Sequence, residues 1–287
     1  MILTLLAQLA GQDSKELEQL NQQVVQLYRE GKYAAAVVVA EKAVGVSEKT
    51  LGPEHTDTGV LLNNLAELYR AQGGYSKAEP LYLRALAISE KADGPEHPST
   101  GTRLNNLAAL YQSQGAYGKA EPMYLRALAI NEKALGPEHP DVGALLNNLA
   151  ELYRAQGAYA KAEPLYVRTL AISEKAEGPE HPSTGTRLNN LAGFYKAQGA
   201  YAKAEPLYVR ALAISEKAEG PDHPSTGTSL NNLAALYYAQ GAYAKAEPLF
   251  LRALTISERA LVLLCYKLFK LKDLANSAIS SVWNGCT

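Results

Sequence analysis

A 42-residue period constrains this chain more than any other feature of its sequence. An asparagine pair recurs at this interval, and a glycine and a tyrosine follow each pair at fixed distances. The pairs are Asn63–Asn64, Asn105–Asn106, Asn147–Asn148, Asn189–Asn190 and Asn231–Asn232. A chain made of one repeated unit buries its apolar surface by stacking each unit against its neighbours. The period therefore predicts a repeat array and not a single globular core.

Each unit contains two helical patterns. In the first, Leu62, Leu65, Ala66 and Tyr69 follow the i, i+3, i+4, i+7 spacing of one buried stripe, which stops at Gly73. The second pattern has its own stripe and a proline in its first turn, and a loop of sequence GPEHP ends the unit. Neither helix can bury its stripe alone, so the pattern predicts an all-α array of stacked antiparallel helix pairs.

The repeats divide the chain into three parts. Residues 1–13 form an apolar leader, 14–261 hold six repeats of which the first has diverged, and 262–287 form a divergent tail. In the tail, Leu264, Leu268 and Leu271 have the spacing of one helix face, which favours a capping helix. A truncated end of a longer array is the alternative interpretation of the tail.

The small and aromatic positions of the unit resemble those of the tetratricopeptide repeat, which usually has 34 residues. The positions that match are Ala66, Tyr69, Gly73, Ala78, Tyr82 and Ala85. The strings LNNLAELY, QGAYAKAEPLY and RALAISEK, together with the 42-residue length, are similar to the repeats of kinesin light chain and of bacterial proteins like it. The resemblance covers about 14–261. The resemblance implies an α-solenoid that binds other proteins. The sequence shows no heptad coiled coil of the kind that joins kinesin light chains to their heavy chains, so a motor role is not predicted.

Composition narrows the class of partner. The 28 basic and 29 acidic residues leave a net charge of −1, so no sequence-wide field favours nucleic acid or an anionic membrane. No apolar run reaches the length of about 18 residues that a membrane span needs. The two cysteines fall in the last 23 residues, and no basic residue precedes the apolar leader. We expect a cytoplasmic protein with a protein or peptide partner; secretion is the alternative.

Neither a metal site nor a catalytic site is predicted. The five histidines occupy the same loop of different repeats, about 10 Å apart, and cannot converge on one ion. They are His55, His97, His139, His181 and His223. We interpret them as part of the turn that begins the next helix. No nucleophile, zinc-protease or nucleotide-binding motif occurs, so the sequence predicts neither an enzyme nor a cofactor.

The asparagine pairs are the candidate binding residues. Counting 100° per residue from the buried stripe places Asn64 opposite the core and Asn63 on its flank, so both are expected to point into the concave side. An amide both donates and accepts hydrogen bonds, so a ladder of asparagines can bind a peptide backbone. The alternative is that one member of each pair bonds to a neighbouring helix. If the ladder only binds ligand, replacing it with alanine should preserve stability, because alanine is the better helix former.

Variable positions on the same face are expected to select the ligand. Basic residues recur there and Tyr238 stands in the slot of Arg70, so the predicted ligand contacts also include Arg70, Arg103, Arg154, Arg187, Lys196 and Tyr238. Arg70 with Glu67, and Arg154 with Glu151, are alternatively plain i, i+3 ion pairs. The sequence thus predicts a scaffold or adaptor that binds an extended peptide of on the order of a dozen residues. An architectural or sensor arm without a peptide ligand is the alternative function.

Overall fold

The computed structural model describes the backbone of residues 2–259 and the side chains of residues 15–259. Every regular element in this range is an α-helix. The helices are α1 (Ile2–Arg29), α2 (Tyr33–Thr50), α3 (Thr56–Ala71), α4 (Tyr75–Ala92), α5 (Pro98–Ser113), α6 (Tyr117–Leu135), α7 (Pro140–Ala155), α8 (Tyr159–Ala176), α9 (Pro182–Ala197), α10 (Tyr201–Ala218), α11 (Pro224–Ala239) and α12 (243–259). The described residues divide into two compact units, 2–165 and 166–259.

The predicted all-α solenoid of helix pairs is confirmed. Within the first unit each helix packs on the next, from α1 to α7, and the first helices α3, α5 and α7 also contact one another in sequence. Within the second unit α9, α10 and α11 pack in the same order, and α9 contacts α11. In each unit, therefore, the first helices of neighbouring repeats stand side by side as a wall.

The histidine of each GPEHP loop, or of the related loop sequence, begins the following helix. Each histidine is an N-cap with extended backbone, and its Nδ1 accepts a hydrogen bond from the backbone N–H two residues on, at 3.2 Å for His55 and 3.3 Å for His97. This bond satisfies one of the N–H groups that a helix start leaves unpaired. The interpretation of the histidines as turn residues is confirmed.

The turn between the two helices of a repeat depends on glycine. Gly73 has a φ of +73°, and its N–H donates to the Arg70 carbonyl at 2.9 Å. The next N–H, of Gly74, donates to the Tyr69 carbonyl at 2.8 Å. These two bonds form the Schellman motif, which requires the left-handed conformation that glycine adopts without strain. The turn stops α3 and starts α4 after three residues.

Small residues let the helices approach closely, and the tyrosine of the second helix fills the space between repeats. Ala66, Ala78, Ala85 and Tyr82 are fully buried. Tyrosines of four first helices also tie their repeat to the one before: the Tyr111 hydroxyl, for example, donates to a Glu79 oxygen at 2.8 Å, and Tyr69, Tyr153 and Tyr237 bond in the same way. Packing and these bonds together hold neighbouring repeats in register.

Of the two predicted segment boundaries, the structure describes only the one after the leader. The leader boundary at residues 13/14 falls inside the single helix α1. The tail 262–287, including the proposed capping face of Leu264, Leu268 and Leu271, lies outside the described residues. No helix among the described residues is long and apolar enough to cross a membrane.

Candidate functional site

A concave groove of about 780 Å³ lies on the wall that α3, α5 and α7 form in the first unit. Polar side chains make up most of its lining, including amides from three repeats, two carboxylates and one guanidinium. The lining residues are Asn63, Asn64, Glu67, Arg70, Asn105, Asn106, Ala109, Gln112, Ser113, Tyr117, Tyr124, Asn148, Glu151 and Ala155. A groove with this lining can hydrogen-bond an extended chain along its length.

The asparagines of the groove bond to one another across repeats. Asn148 donates through Nδ2 to Asn105 Oδ1 at 2.9 Å, and Asn106 donates through Nδ2 to Asn63 Oδ1 at 3.0 Å. Within the pair, Asn105 donates to Asn106 Oδ1 at 3.1 Å. The four amides form one hydrogen-bonded chain from α7 through α5 to α3. This chain links the first helices of three consecutive repeats.

The chain of amides limits the accessibility of the first asparagine. Asn63 and Asn147 are buried, although Asn63 still lines the groove, so these two amides are less accessible than the sequence suggests. At Asn63 the second asparagine of the next repeat, Asn106, reaches back and donates a hydrogen bond to the side-chain oxygen. The alternative interpretation, in which one member bonds to a neighbouring helix, is confirmed at Asn63.

The second asparagine of the first pair is arranged differently. Asn64 is exposed in the groove and forms no hydrogen bond with any residue that the structure describes. Its amide has both a donor and an acceptor that a ligand can use. Asn64 and Asn63 are adjacent in sequence but differ in environment: Asn64 is exposed in the groove, and Asn63 is buried and bonded to the next repeat.

The asparagines of the second unit repeat part of this pattern. Asn232 donates to Asn189 Oδ1 at 3.4 Å, and Asn189 donates to the Ser229 hydroxyl at 3.3 Å. Asn190 is half-buried and Asn231 is exposed. The same bond between neighbouring first helices therefore occurs in both units.

A buried tyrosine and an arginine bind the carboxylate of Glu67. Tyr82 donates its hydroxyl to Glu67 Oε2 at 2.6 Å, and Arg70 donates through Nε to the same oxygen at 3.0 Å. Burial opposes ionisation of Glu67, but the bonds from Arg70 and Tyr82 outweigh it and lower the pKa of this carboxyl. Burial and the bond to Glu67 raise the pKa of Tyr82. Glu67 is thus a charged, internally neutralised group at the groove floor.

The basic residues predicted as ligand contacts fall into two groups. Arg70 and the exposed Arg154 pair with glutamates of their own helices, as the i, i+3 alternative proposed; Arg154 donates to Glu151 at 2.6 Å. Arg103 and Arg187 are half-buried and form no ion pair with a described residue. Burial lowers the pKa of both guanidinium groups. The negative charges of Asp93, acting on Arg103, and of Glu177, acting on Arg187, offset this lowering only in part.

Two predicted contacts remain. Lys196 on α9 is half-buried. Tyr238 is exposed on α11. Its ring lies edge-on to that of Tyr243, with 5.1 Å between ring centroids. Both tyrosines are about 60% exposed, at 61% and 60%. The two rings form an accessible aromatic pair at the last described repeat.

Sequence reasoning missed the role of the second-helix tyrosines. Their rings are buried as predicted, but their hydroxyls reach the inner wall: the Tyr124 hydroxyl donates to Gln112 Oε1 at 2.9 Å, as Tyr82 does to Glu67. The signal available in the sequence is the matched variation of the two slots that face this hydroxyl, at 67/109/151/193/235 and at 70/112/154/196/238. Among the described residues, no three potential metal ligands lie close enough together to bind an ion.

The tetratricopeptide repeat model matches the sequence in five overlapping segments, at residues 19–91, 61–133, 104–175, 141–217 and 183–259. The chain belongs to the tetratricopeptide repeat family. No curated protein sequence matches it.

Solved structures of tetratricopeptide repeat proteins are similar along most of the chain. A kinesin light chain-like protein of Podosopora anserina with nearly identical repeats is 31% identical, with a TM-score of 0.62, covering 72% of this chain and 98% of its own. BtubC (BKLC) from P. vanneervenii is 25% identical with a TM-score of 0.63, covering 89% of this chain and 92% of its own. A Rap protein solved with competence and sporulation factor, at 15% identity and a TM-score of 0.62, shares the fold. The predicted kinesin light chain-like repeat type is confirmed.

Tetratricopeptide repeats are scaffolds that generally mediate protein–protein interaction. The concave wall described above is the surface on which such a scaffold presents its variable side chains.

Proposed function

We propose that this protein is an interaction scaffold that binds an extended segment of a partner protein in the groove of the first unit. The observation that carries the proposal is the exposed amide of Asn64, which has no hydrogen-bond partner in the described part of the chain and lies beside the polar lining of the groove. A peptide backbone presents one N–H and one C=O per residue, and a free side-chain amide complements both. The protein acts by binding, in the cytoplasm, and not as an enzyme.

In this proposal the asparagines have two roles, one structural and one in ligand binding. Asn63, Asn105, Asn106 and Asn148 hold the wall together through bonds between repeats, while their remaining lone pairs and N–H groups line the groove. Asn64 contributes a whole amide to the ligand. The ladder is therefore partly structural, and peptide binding uses the capacity that the interhelix bonds leave free.

The size of the groove sets the length of the ligand. Neighbouring helices are about 10 Å apart and an extended peptide advances about 3.3 Å per residue, so each repeat contacts about three peptide residues. The three first helices of this groove then contact about nine residues. The charged groups at its floor are already neutralised by one another at Glu67 and Arg70, so backbone contacts dominate there.

A peptide-display selection with a blocked groove tests the proposal. Random peptides of about 12 residues are selected on the full chain, and binding is then measured to Ala109→Trp and to Ala129→Trp. Ala109 lines the groove, whereas Ala129 is exposed on α6 and does not line it. We expect Ala109→Trp to weaken selected peptides by at least about tenfold, because an indole fills the space of the ligand, and Ala129→Trp to leave binding unchanged.

Failure to select any peptide, or equal binding to both tryptophan variants, contradicts the proposal. Either result favours the architectural alternative, in which the array is a spacer or sensor arm with no peptide ligand.

A further inference from the structure

The first unit contains a bound carboxylate of its own. The Tyr82 hydroxyl and the Arg70 guanidinium both donate to Glu67, at 2.6 Å and 3.0 Å for the two bonds to Oε2. The three groups come from two helices of one repeat, a donor from the second helix and a cation and a carboxylate from the first. This arrangement is a template for how the repeat binds a carboxylate.

The repeat of α9 and α10 keeps both donors and lacks the carboxylate. Counting three periods of 42 residues from Tyr82, Arg70 and Glu67 leads to Tyr208, Lys196 and Gly193. A Cβ atom on Gly193 would lie 3.4 Å from the Tyr208 hydroxyl oxygen, so this hydroxyl points at the place where the side chain of residue 193 would begin. Gly193 is therefore a notch in α9 that opens onto Tyr208.

Neither donor has an internal partner. The Tyr208 side chain is only 2% exposed, and its hydroxyl forms no hydrogen bond with a described residue. Lys196 is half-buried and forms no ion pair within the described part of the chain. Although the residue is buried, its hydroxyl oxygen is not among the fully buried polar atoms without a partner, so the oxygen keeps accessible surface that a ligand acceptor can reach. Burial also raises the pKa of Tyr208 to about 12, so the phenol remains a donor at neutral pH.

We propose that the notch at Gly193 is a receptor site for a carboxylate of the bound partner, with Tyr208 and Lys196 as its donors. The carboxylate takes the place that Glu67 has in the first unit, and an aspartate or glutamate side chain of a protein segment supplies it. Two charge-assisted hydrogen bonds hold it, one from the phenol and one from the ammonium group.

Other repeats show why this position is distinct. In the repeat of α5 and α6, where residue 109 is alanine, Gln112 occupies the slot of Lys196 and itself accepts the Tyr124 hydroxyl at 2.9 Å. In the last described repeat the tyrosine is replaced by Phe250 and the cation by Tyr238, so neither donor exists. Of these repeats, only that of Gly193 combines a free hydroxyl with a cation.

This inference deepens the proposed function, because it assumes that a protein segment brings the carboxylate. It is tested without that segment. The probe is the capped peptide N-acetyl-Ala-Glu-Ala-amide, compared with N-acetyl-Ala-Gln-Ala-amide, in a nuclear magnetic resonance titration of the full chain with ¹³C-labelled tyrosine rings. Tyr208→Phe identifies the Tyr208 resonance.

We expect the glutamate peptide to shift the Tyr208 resonance and to bind about tenfold more tightly than the glutamine peptide, because the site is built for an anion. Two variants close the site by copying other repeats. Gly193→Glu supplies the internal carboxylate of Glu67, and Lys196→Gln supplies the internal acceptor of Gln112. Both should abolish the shift, whereas Ala129→Trp, on the exposed face of α6 and outside the site, should retain it.

Equal binding of the two peptides, or a shift that persists in Gly193→Glu, overturns the carboxylate site. If no peptide is selected by display but the glutamate probe still binds at Tyr208, the proposed groove is overturned and the carboxylate site is not. The two failures are therefore distinguishable.

Discussion

Two repeats of the same sequence pattern differ at the inner wall: the repeat of α3 and α4 carries its own carboxylate, and the repeat of α9 and α10 does not. Glu67 accepts hydrogen bonds from the tyrosine and the cation of the first, whereas Tyr208 and Lys196 of the second have no such partner among the described residues. A solenoid repeats its scaffold positions, so a change at one variable position decides whether the same neighbours stabilise the fold or remain available to a ligand.

Breaking the closed arrangement should have the largest effect on stability. Glu67→Ala leaves the Tyr82 hydroxyl without an acceptor and the half-buried Arg70 guanidinium without its ion-pair partner, and we expect it to lower the free energy of unfolding by about 2–3 kcal/mol. Urea denaturation measures the loss. Glu54→Ala is the control, since Glu54 pairs with Lys91 on the exposed surface and its removal should have little effect. Similar losses in both variants would mean that the bonds of Glu67 to Tyr82 and Arg70 stabilise the fold no more than an exposed ion pair does.

Closing the open arrangement should stabilise the protein by less. Gly193→Glu adds helix propensity and gives Tyr208 and Lys196 a carboxylate, so the free energy of unfolding should rise by about 1–2 kcal/mol. Gly193→Ala adds the propensity alone and should give about 1 kcal/mol. If alanine stabilises as much as glutamate, the carboxylate finds no donors at this position.

Alkaline titration of the tyrosines should show the smallest effect on stability. The pKa of Tyr208 is raised to about 12 by burial, so its protonated form contributes stability that is fully present below pH 10 and is lost as the pH rises through 12. At about pH 10.5 we expect Tyr208→Phe to reduce the alkaline loss of stability by about 0.5–1 kcal/mol. The pKa of Tyr82 is also raised, by burial and by the bond to Glu67, so Tyr82→Phe should likewise reduce the alkaline loss of stability. An identical alkaline stability profile in parent and Tyr208→Phe would contradict this.

The fold could be predicted from the sequence because the 42-residue period repeats the same local patterns in every unit. Helix stripes, the glycine turn and the histidine starts are local patterns, and each recurs often enough to be read without coordinates. The partners of the asparagines were not predictable in the same way. Asn106 bonds to Asn63, 43 positions earlier, so one helix must be rotated relative to the next by an amount that only packing determines.

The reach of a side chain was also hidden from the sequence. The apolar stripe correctly placed the Tyr82 ring in the core, but the hydroxyl lies several bonds beyond the ring's attachment and emerges beside Glu67. Because of these interhelix contacts we no longer expect alanine in place of Asn106 and Asn148 to preserve stability. Each substitution removes a bond between repeats at a net cost of about 1 kcal/mol, which exceeds the gain in helix propensity.

The central claim is that inner-wall residues with built-in partners stabilise the array and those without partners bind the ligand. Asn63 and Asn64 test it most directly, since they are adjacent, identical in chemistry and opposite in environment. For Asn63→Ala and Asn64→Ala, the melting temperature and the affinity for one display-selected peptide are measured together. The account predicts that Asn63→Ala lowers the melting temperature and that Asn64→Ala leaves it unchanged or higher while weakening the peptide about fivefold. An Asn64→Ala variant that binds as tightly as the parent but melts at a lower temperature would contradict the claim.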